Sequence, residues 1–244
     1  VLLVIPLWAS AQPQIAARAD SLAKGSKDTL AIADALSANW KHEKAISILA
    51  ASGRDDAPTL WRLARSRIDM GENLSGKPAL ELFERAQKEA EKAVLLDPND
   101  ADAQQTLAIV LGRVALFKGV FSSVGLVKRI YPAALRAIAL NDSMPRSYYI
   151  IGRLHQELTV KPAFALKLLG LGWASEDSIS WYYDKALKIN PDLIQTRVGY
   201  AEYLIKSKKD PAKAKKLLDE AISLPAKDEQ DLKAKEEAKG LKEK

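Results

Sequence analysis

Small and bulky apolar residues recur along the chain in one phrase with helical spacing. In Tyr183-Asp-Lys-Ala186-Leu-Lys-Ile-Asn190-Pro191-Asp192 an alanine follows a bulky residue by three positions, and a proline comes five later. Side chains three or four apart share a helix face, so the phrase predicts a packed helix that stops at a proline turn. It returns in Ala90-Glu-Lys-Ala93-Val-Leu-Leu-Asp97-Pro98 and in Ala134-Leu-Arg-Ala137-Ile-Ala-Leu-Asn141-Asp142. Partner helices are read around it: Trp61 and Ala64 open one, Leu107, Ala108 and Leu111 another, and Tyr148, Ile151, Gly152 and His155 a third. Gly152 and Ala108 fall where a small side chain lets the paired helix approach closely. Tyr200 and Ala201 with Ala214, Leu218 and Ala221 form a last pair ending at Pro225. A degraded first pair runs from Leu30 and Ala33 through Trp40 to Leu49, with Asp28 placed to cap its start.

Helix pairs repeated in this way resemble the tetratricopeptide repeat, a unit of about 34 residues whose small residues sit where the helices cross. The fold class expected is all-α, a tetratricopeptide-like α-solenoid of about five helix pairs with insertions. The spacing is 40 residues from Pro58 to Pro98, 44 from Pro98 to Asp142, 49 from Asp142 to Pro191 and 34 from Pro191 to Pro225. Only the last fits a plain unit, so the surplus lies in longer helices or in inserted segments, which often mark the binding face. Two candidate insertions, Phe117 to Leu126 and Lys161 to Ser175, are apolar, aromatic and glycine-containing. They are expected to tuck into the superhelix; left exposed, they would form an apolar site.

Composition agrees and narrows the chemistry. Ala, Leu, Lys and Glu dominate, the residues that lose least on entering a helix. There is no cysteine and there are only two histidines, which excludes disulfides, thiol nucleophiles and Cys-ligated metals, and no cofactor is expected. Residues 1–11, an apolar stretch closed by Ala9-Ser-Ala11, read as a signal-peptide remnant, which points to an exported protein of a bacterial periplasm. No other stretch is long and apolar enough to span a bilayer. Residues 12–226 form the repeat domain. Residues 227–244, with six basic and six acidic side chains, read as a solvated capping helix fraying into a disordered tail.

Searching for catalysis yields little. Gly170-Leu-Gly172 lacks the third glycine and the strand of a nucleotide-binding turn, and no Gly-x-Ser-x-Gly elbow exists. A hydrolase would have to use His155 as base, a position that in a first helix usually packs between helices; His42 is expected to be solvated in a turn. The chain is therefore read as no enzyme. What remains is charge. Between Arg113 and Lys167 stand nine Lys and Arg against Asp142 and Glu157, a surplus that accounts for the net charge of +6 of the whole chain. A groove carrying Arg113, Lys118, Arg146, Tyr148, Tyr149, Arg153, His155 and Trp173 is expected to bind a protein, a peptide or an anionic small molecule. Arg153 is the leading cation, since a guanidinium pairs well with carboxylates. Nucleic acid is not expected as a partner, and an oligomer is compatible with the pattern.

From Leu107 to Ala221 the order of features resembles the regulator of microtubule dynamics family and its exported bacterial relatives. The residues that carry the likeness are Leu111-Gly112 with Gly119, Ala137-Ile-Ala-Leu-Asn141, Ile151-Gly152-Arg153-Leu154-His155, the insertion ending at Trp173-Ala174, Trp181-Tyr-Tyr-Asp-Lys-Ala186, and Asn190-Pro191. The resemblance implies a helical binding or scaffold protein without catalysis, and in an exported bacterial protein it implies no microtubule partner. The insertion-laden repeats are also similar to the tetratricopeptide accessory component of periplasmic TRAP-type solute transporters. That likeness implies an alternative role, passing an organic anion through a channel lined by Phe117, Phe121, Phe164 and Trp173.

Overall fold

The computed structural model describes residues 28–119 and 121–243, except for the side chain of Phe121. The stretch read as an export signal lies outside the described residues. Twelve α-helices follow one another, and no strand occurs among the described residues. They are α1 Thr29–Ala38, α2 His42–Ala51, α3 Ala57–Gly71, α4 Gly76–Leu96, α5 Ala101–Lys118 and α6 Val124–Leu140. Then come α7 Pro145–Thr159, α8 Ala163–Leu168, α9 Glu176–Ile189, α10 Ile194–Ser207, α11 Pro211–Ser223 and α12 Glu229–Lys242. Five helix pairs pack in series, α1 with α2, α3 with α4, α5 with α6, α7 with α9 and α10 with α11, and α12 closes the array against α10 and α11. First helices also touch first helices of the next unit, as α1 does α3 and α3 does α5. They form an inner layer, with the second helices outside.

The repeated phrase builds the same turn three times. Ala93, Ala137 and Ala186 are fully buried where paired helices cross. The carbonyl of each accepts the N–H of the residue ending its helix, Asp97, Asn141 and Asn190. The side chains of those residues in turn accept the N–H two positions on, from Asn99, Ser143 and Asp192. A short acceptor at this position satisfies the backbone while the chain reverses. Aspartate then starts the helices: Asp28, Asp56, Asp100, Asp210 and Asp228 each cap an N-terminus, removing one of its orphan N–H groups.

The long spacings have two sources. In the second unit the helices themselves are longer, α4 reaching 21 residues. In the third and fourth, chain is inserted between paired helices, as a 3-10 turn at Phe121–Ser123 and as α8 with its following loop. The second insertion is anchored from beneath by buried Leu166 and Leu171, and Trp173 stacks on Tyr131 of α6 with ring centroids 4.3 Å apart. It tucks only in part, since Phe164 and Leu168 face solvent.

The terminal segment is more than a solvated cap. Leu232, Ala234 and Ala238 of α12 are buried, and the helix carries part of the groove wall described next.

Candidate functional site

A groove of about 1060 Å³ runs along the inner layer, walled by α1, α3, α5, α7, α10 and α12. Its character follows from the faces of each first helix. On α7, Tyr148, Gly152 and His155 are spaced four and three apart and turn toward α9 in the outer layer, while Arg146, Tyr149, Arg153 and Glu157 share the face that lines the groove. The outward face is packed tightly. A Cβ added at Gly152 would lie 3.3 Å from Cβ of Tyr182.

Half of the expected site residues therefore reach the groove. Arg113, Arg146, Tyr149 and Arg153 line it; Lys118, Tyr148, His155 and Trp173 do not. Lys118 lies past the groove face of α5 and pairs instead with Glu84 of α4 at 2.6 Å. Tyr148 is buried against Trp181 of α9. His155 is 3% exposed, and its Nδ1 accepts the backbone N–H of Ser175 at 2.9 Å. Tyr182 stacks on the His155 ring, and Trp173 meets it edge-on. Burial lowers its pKa. An occluded imidazole whose one acceptor nitrogen is already bonded gives no accessible general base, so the hydrolase reading finds no support. The channel reading fares no better. Phe117 lines the groove, Phe164 lies on the outer surface, Trp173 is stacked away from both, and the Phe121 side chain lies outside the described residues.

Carboxylates are the residues that the sequence reading passed over. The groove is lined by Asp34, Asp69, Glu72, Asp102, Glu157, Asp228, Glu229 and Glu237 against Arg65, Arg113, Arg146, Arg153, Lys227 and Lys233. It is not the basic surface expected. Every arginine in it is already paired: Arg65 with Asp34 and Arg113 with Glu72, both at 2.5 Å, Arg146 with Asp228 at 3.4 Å, and Arg153 with Glu157 and Glu202. Lys227 pairs outward with Asp192, and Lys233 bonds to Asn73. Among the described residues, no Lys or Arg forms an ion pair with Asp69, Asp102 or Glu237.

Burial raises the proton affinity of this acidic set. It pushes the half-buried Asp69 carboxyl up to about 6, and partial desolvation lifts Asp102 and Glu237 above their ordinary range although both side chains stay open to solvent. Glu72 is raised by the same cause, against the pull of Arg113. His42 is also a correction. It opens α2, is buried, and stands 3.8 Å from Asp69 and 3.9 Å from Glu229, with burial holding its pKa down. The polar residues share a wall with an apolar stretch that includes Leu116, Phe117, Ile150 and Leu154.

With that architecture in view, the sequence matches the regulator of microtubule dynamics protein 1–3 family over residues 18–244. The chain belongs to this family. None of the curated proteins matches it. Among solved structures it is similar to TTC0263, a thermophilic TPR protein of Thermus thermophilus, at 18% identity over 87% of this chain and 97% of that one, with a TM-score of 0.61. At that identity the likeness shows the fold, a tetratricopeptide-type array, which places this family member among TPR proteins as its repeat phrase implies. Looser similarities run to MamA, 19% identical over 87% of this chain and 95% of that one at a TM-score of 0.45. YrrB, described as a TPR protein with an unusual peptide-binding site, is 15% identical over 88% and 91% at a TM-score of 0.47.

Proposed function

We propose that this family member is a non-catalytic, exported binding protein whose inner groove takes a peptide segment carrying Lys or Arg beside apolar side chains. One observation carries the reading: the groove's cations are held by internal partners, whereas among the described residues Asp69, Asp102 and Glu237 have no Lys or Arg partner. An anionic ligand, the expectation drawn from the local surplus of positive charge, would have to break existing pairs. A cationic one meets carboxylates that no Lys or Arg among the described residues holds, one of them beside His42. Asp69 is half-buried, so a partner cation offsets part of its desolvation, while Asp102 and Glu237 are exposed and offer acceptors open to a ligand. The apolar wall at Leu116, Ile150 and Leu154 suits neighbouring aliphatic side chains of the same segment. The apolar stretch before Ala9-Ser-Ala11 supports placing this activity in a bacterial periplasm.

Calorimetric titration with two otherwise identical apolar peptides, one bearing Lys and one bearing Glu, tests the sign. A charge-assisted hydrogen bond contributes about 1.5–3 kcal/mol, so the Lys peptide should bind at least about tenfold tighter. Asp69→Asn combined with Asp102→Asn should remove most of that preference. Equal binding of the two peptides, or tighter binding of the Glu peptide, would overturn the reading.

A further inference from the structure

The positive surplus between Arg113 and Lys167 divides sharply once partners are assigned. Arg113, Lys118, Arg129 and Arg146 pair with Glu72, Glu84, Glu91 and Asp228, Arg136 bonds to Asn99, and Arg153 pairs with Glu157 and Glu202. That leaves Lys128, Lys161 and Lys167, for which no side-chain hydrogen bond or ion pair occurs among the described residues. These three surround one feature. Lys161 precedes α8, Lys167 lies in its last turn, and the Lys128 ammonium reaches the loop after it, where a Cβ added at Gly170 would lie 3.4 Å from Nζ.

On α8 itself, Phe164 and Leu168 stand one helical turn apart and are 77% and 85% exposed, with Val160 beside the helix at 70%. Side chains at this spacing share a face. The opposite face holds Leu166, which is buried and pins the helix to the core with Leu171. Two large apolar side chains thus project from a turn seated by Leu166 and Leu171, with three uncompensated lysines on or next to the same insertion. Neither α6 nor the segment 158–175 contains an Asp or Glu. Every other basic residue of the region has a partner within the protein. These three lysines therefore keep their charge without a side-chain partner among the described residues.

We infer that the α8 insertion is a peripheral docking element for an anionic lipid surface. Phe164, Leu168 and Val160 enter the interfacial layer, and Lys128, Lys161 and Lys167 lie against the headgroups. The composition of the patch sets it apart from the groove: its apolar side chains are strongly exposed and its neighbouring charges are of one sign. No helix among the described residues is long and apolar enough to cross a membrane, so attachment here is from one side. The element faces away from the inner groove, none of whose lining residues lies between Leu158 and Gln195. Docking therefore leaves the groove open.

Flotation of the full chain with phosphatidylcholine vesicles and with vesicles also containing phosphatidylglycerol tests the assignment. Binding should require the anionic lipid and weaken with salt, because the charges act across a screening length of about 8 Å at physiological ionic strength. Each lysine at such a surface contributes about fivefold, so Lys128→Ala, Lys161→Ala and Lys167→Ala together should lower binding about a hundredfold. Phe164→Ser with Leu168→Ser should abolish it while far-UV circular dichroism and the thermal midpoint stay unchanged, since both side chains are exposed. Lys215→Ala with Lys216→Ala, exposed lysines on α11, should have little effect. No binding to anionic vesicles, or binding insensitive to both sets of α8 variants, overturns the inference. So does concentration-dependent dimerisation of the parent that the Phe164 and Leu168 variant loses, for then a second copy covers the patch.

Discussion

Lys233 on α12 donates to the backbone carbonyl of Glu72 at 3.3 Å and to the side chain of Asn73, joining residues 161 and 160 positions apart in sequence. The last helix therefore spans from its neighbours α10 and α11 to the end of α3. The bridge is thinly held. Near it, Trp40 Nε1, both nitrogens of His42 and Gln230 Nε2 are buried without a hydrogen-bond partner. An unsatisfied buried polar group costs about 1–3 kcal/mol, which offsets much of what closure contributes. Lys233→Ala should change global stability by no more than about 1 kcal/mol, as expected for an exposed charged contact. Amide exchange along α12 should nevertheless quicken relative to α10, because local opening becomes easier. Mass-resolved hydrogen exchange measures both helices in one experiment, and unchanged exchange in α12 would show that the bridge restrains nothing.

Two glycines on first helices should respond to alanine with opposite signs. At Gly199 an added Cβ would stand 3.1 Å from Cε2 of Tyr149 and 3.3 Å from the hydroxyl of Tyr183, both in packed positions. Overpacking of this kind costs about 1–3 kcal/mol. At Gly112 nothing lies within 4 Å of the new methyl group, so only the helix-propensity gain of about 0.5–1 kcal/mol remains. Urea unfolding of the two variants beside the parent checks both signs.

The same contrast separates what was legible in the sequence from what was not. Repetition of Ala93, Ala137 and Ala186 with their Asx-type turns is a local signal, and it gave the helix pairs and the fold class. The groove depends on which face of each first helix turns inward, and charge totals carry no such information. Arg113, Arg146 and Arg153 stood out as a surplus, but their partners Glu72, Asp228 and Glu202 come from distant helices. A signal for the acidic wall was present in the spacing of Arg65, Asp69 and Glu72, polar residues four and three apart opposite the packed face of α3. His42 gave no such hint, because its burial depends on α12 folding back across the groove.

Arg153 ties α7 to α10 in the groove wall. It binds Glu157 at 2.9 Å on its own helix and Glu202 on α10, and Gln156 also donates to Glu202 at 3.3 Å. Burial works to raise the Glu202 carboxyl, but the hydrogen bond from Lys206 and the charge of Arg153 outweigh it and hold it below the ordinary range. Arg153→Met should cost about 1–3 kcal/mol, since it leaves a largely buried carboxylate with Lys206 as its one remaining cation. Adding Glu202→Gln should recover most of the loss by removing the stranded charge. A double-mutant cycle by chemical denaturation gives the coupling, and strictly additive losses would show that the pair acts independently.

Asp231 offers a test with a worked sign. Burial, reinforced by Asp228, raises its carboxyl to about 6 from an ordinary 3.8, although it accepts the backbone N–H of Lys227 at 2.9 Å. Between those two values the folded protein holds a proton that the unfolded chain has released. Stability contributed by this group therefore falls as pH rises through the window, and the full cost of the buried charge is present above pH 6. Asp231→Asn keeps an acceptor for Lys227 and removes the charge. It should exceed the parent in stability above pH 6 by up to about 3 kcal/mol, the equivalent of two pKa units, and the advantage should shrink toward zero near pH 4. His42 and His155 add an opposite slope, because burial lowers their pKa and their neutral forms lose ground as pH falls below 6.5. That slope is common to both proteins and cancels in the difference. Urea midpoints of parent and variant between pH 4 and pH 8 settle the matter: a gap that stays constant, or widens toward acid, would place the strain of α12 somewhere other than the Asp231 carboxylate.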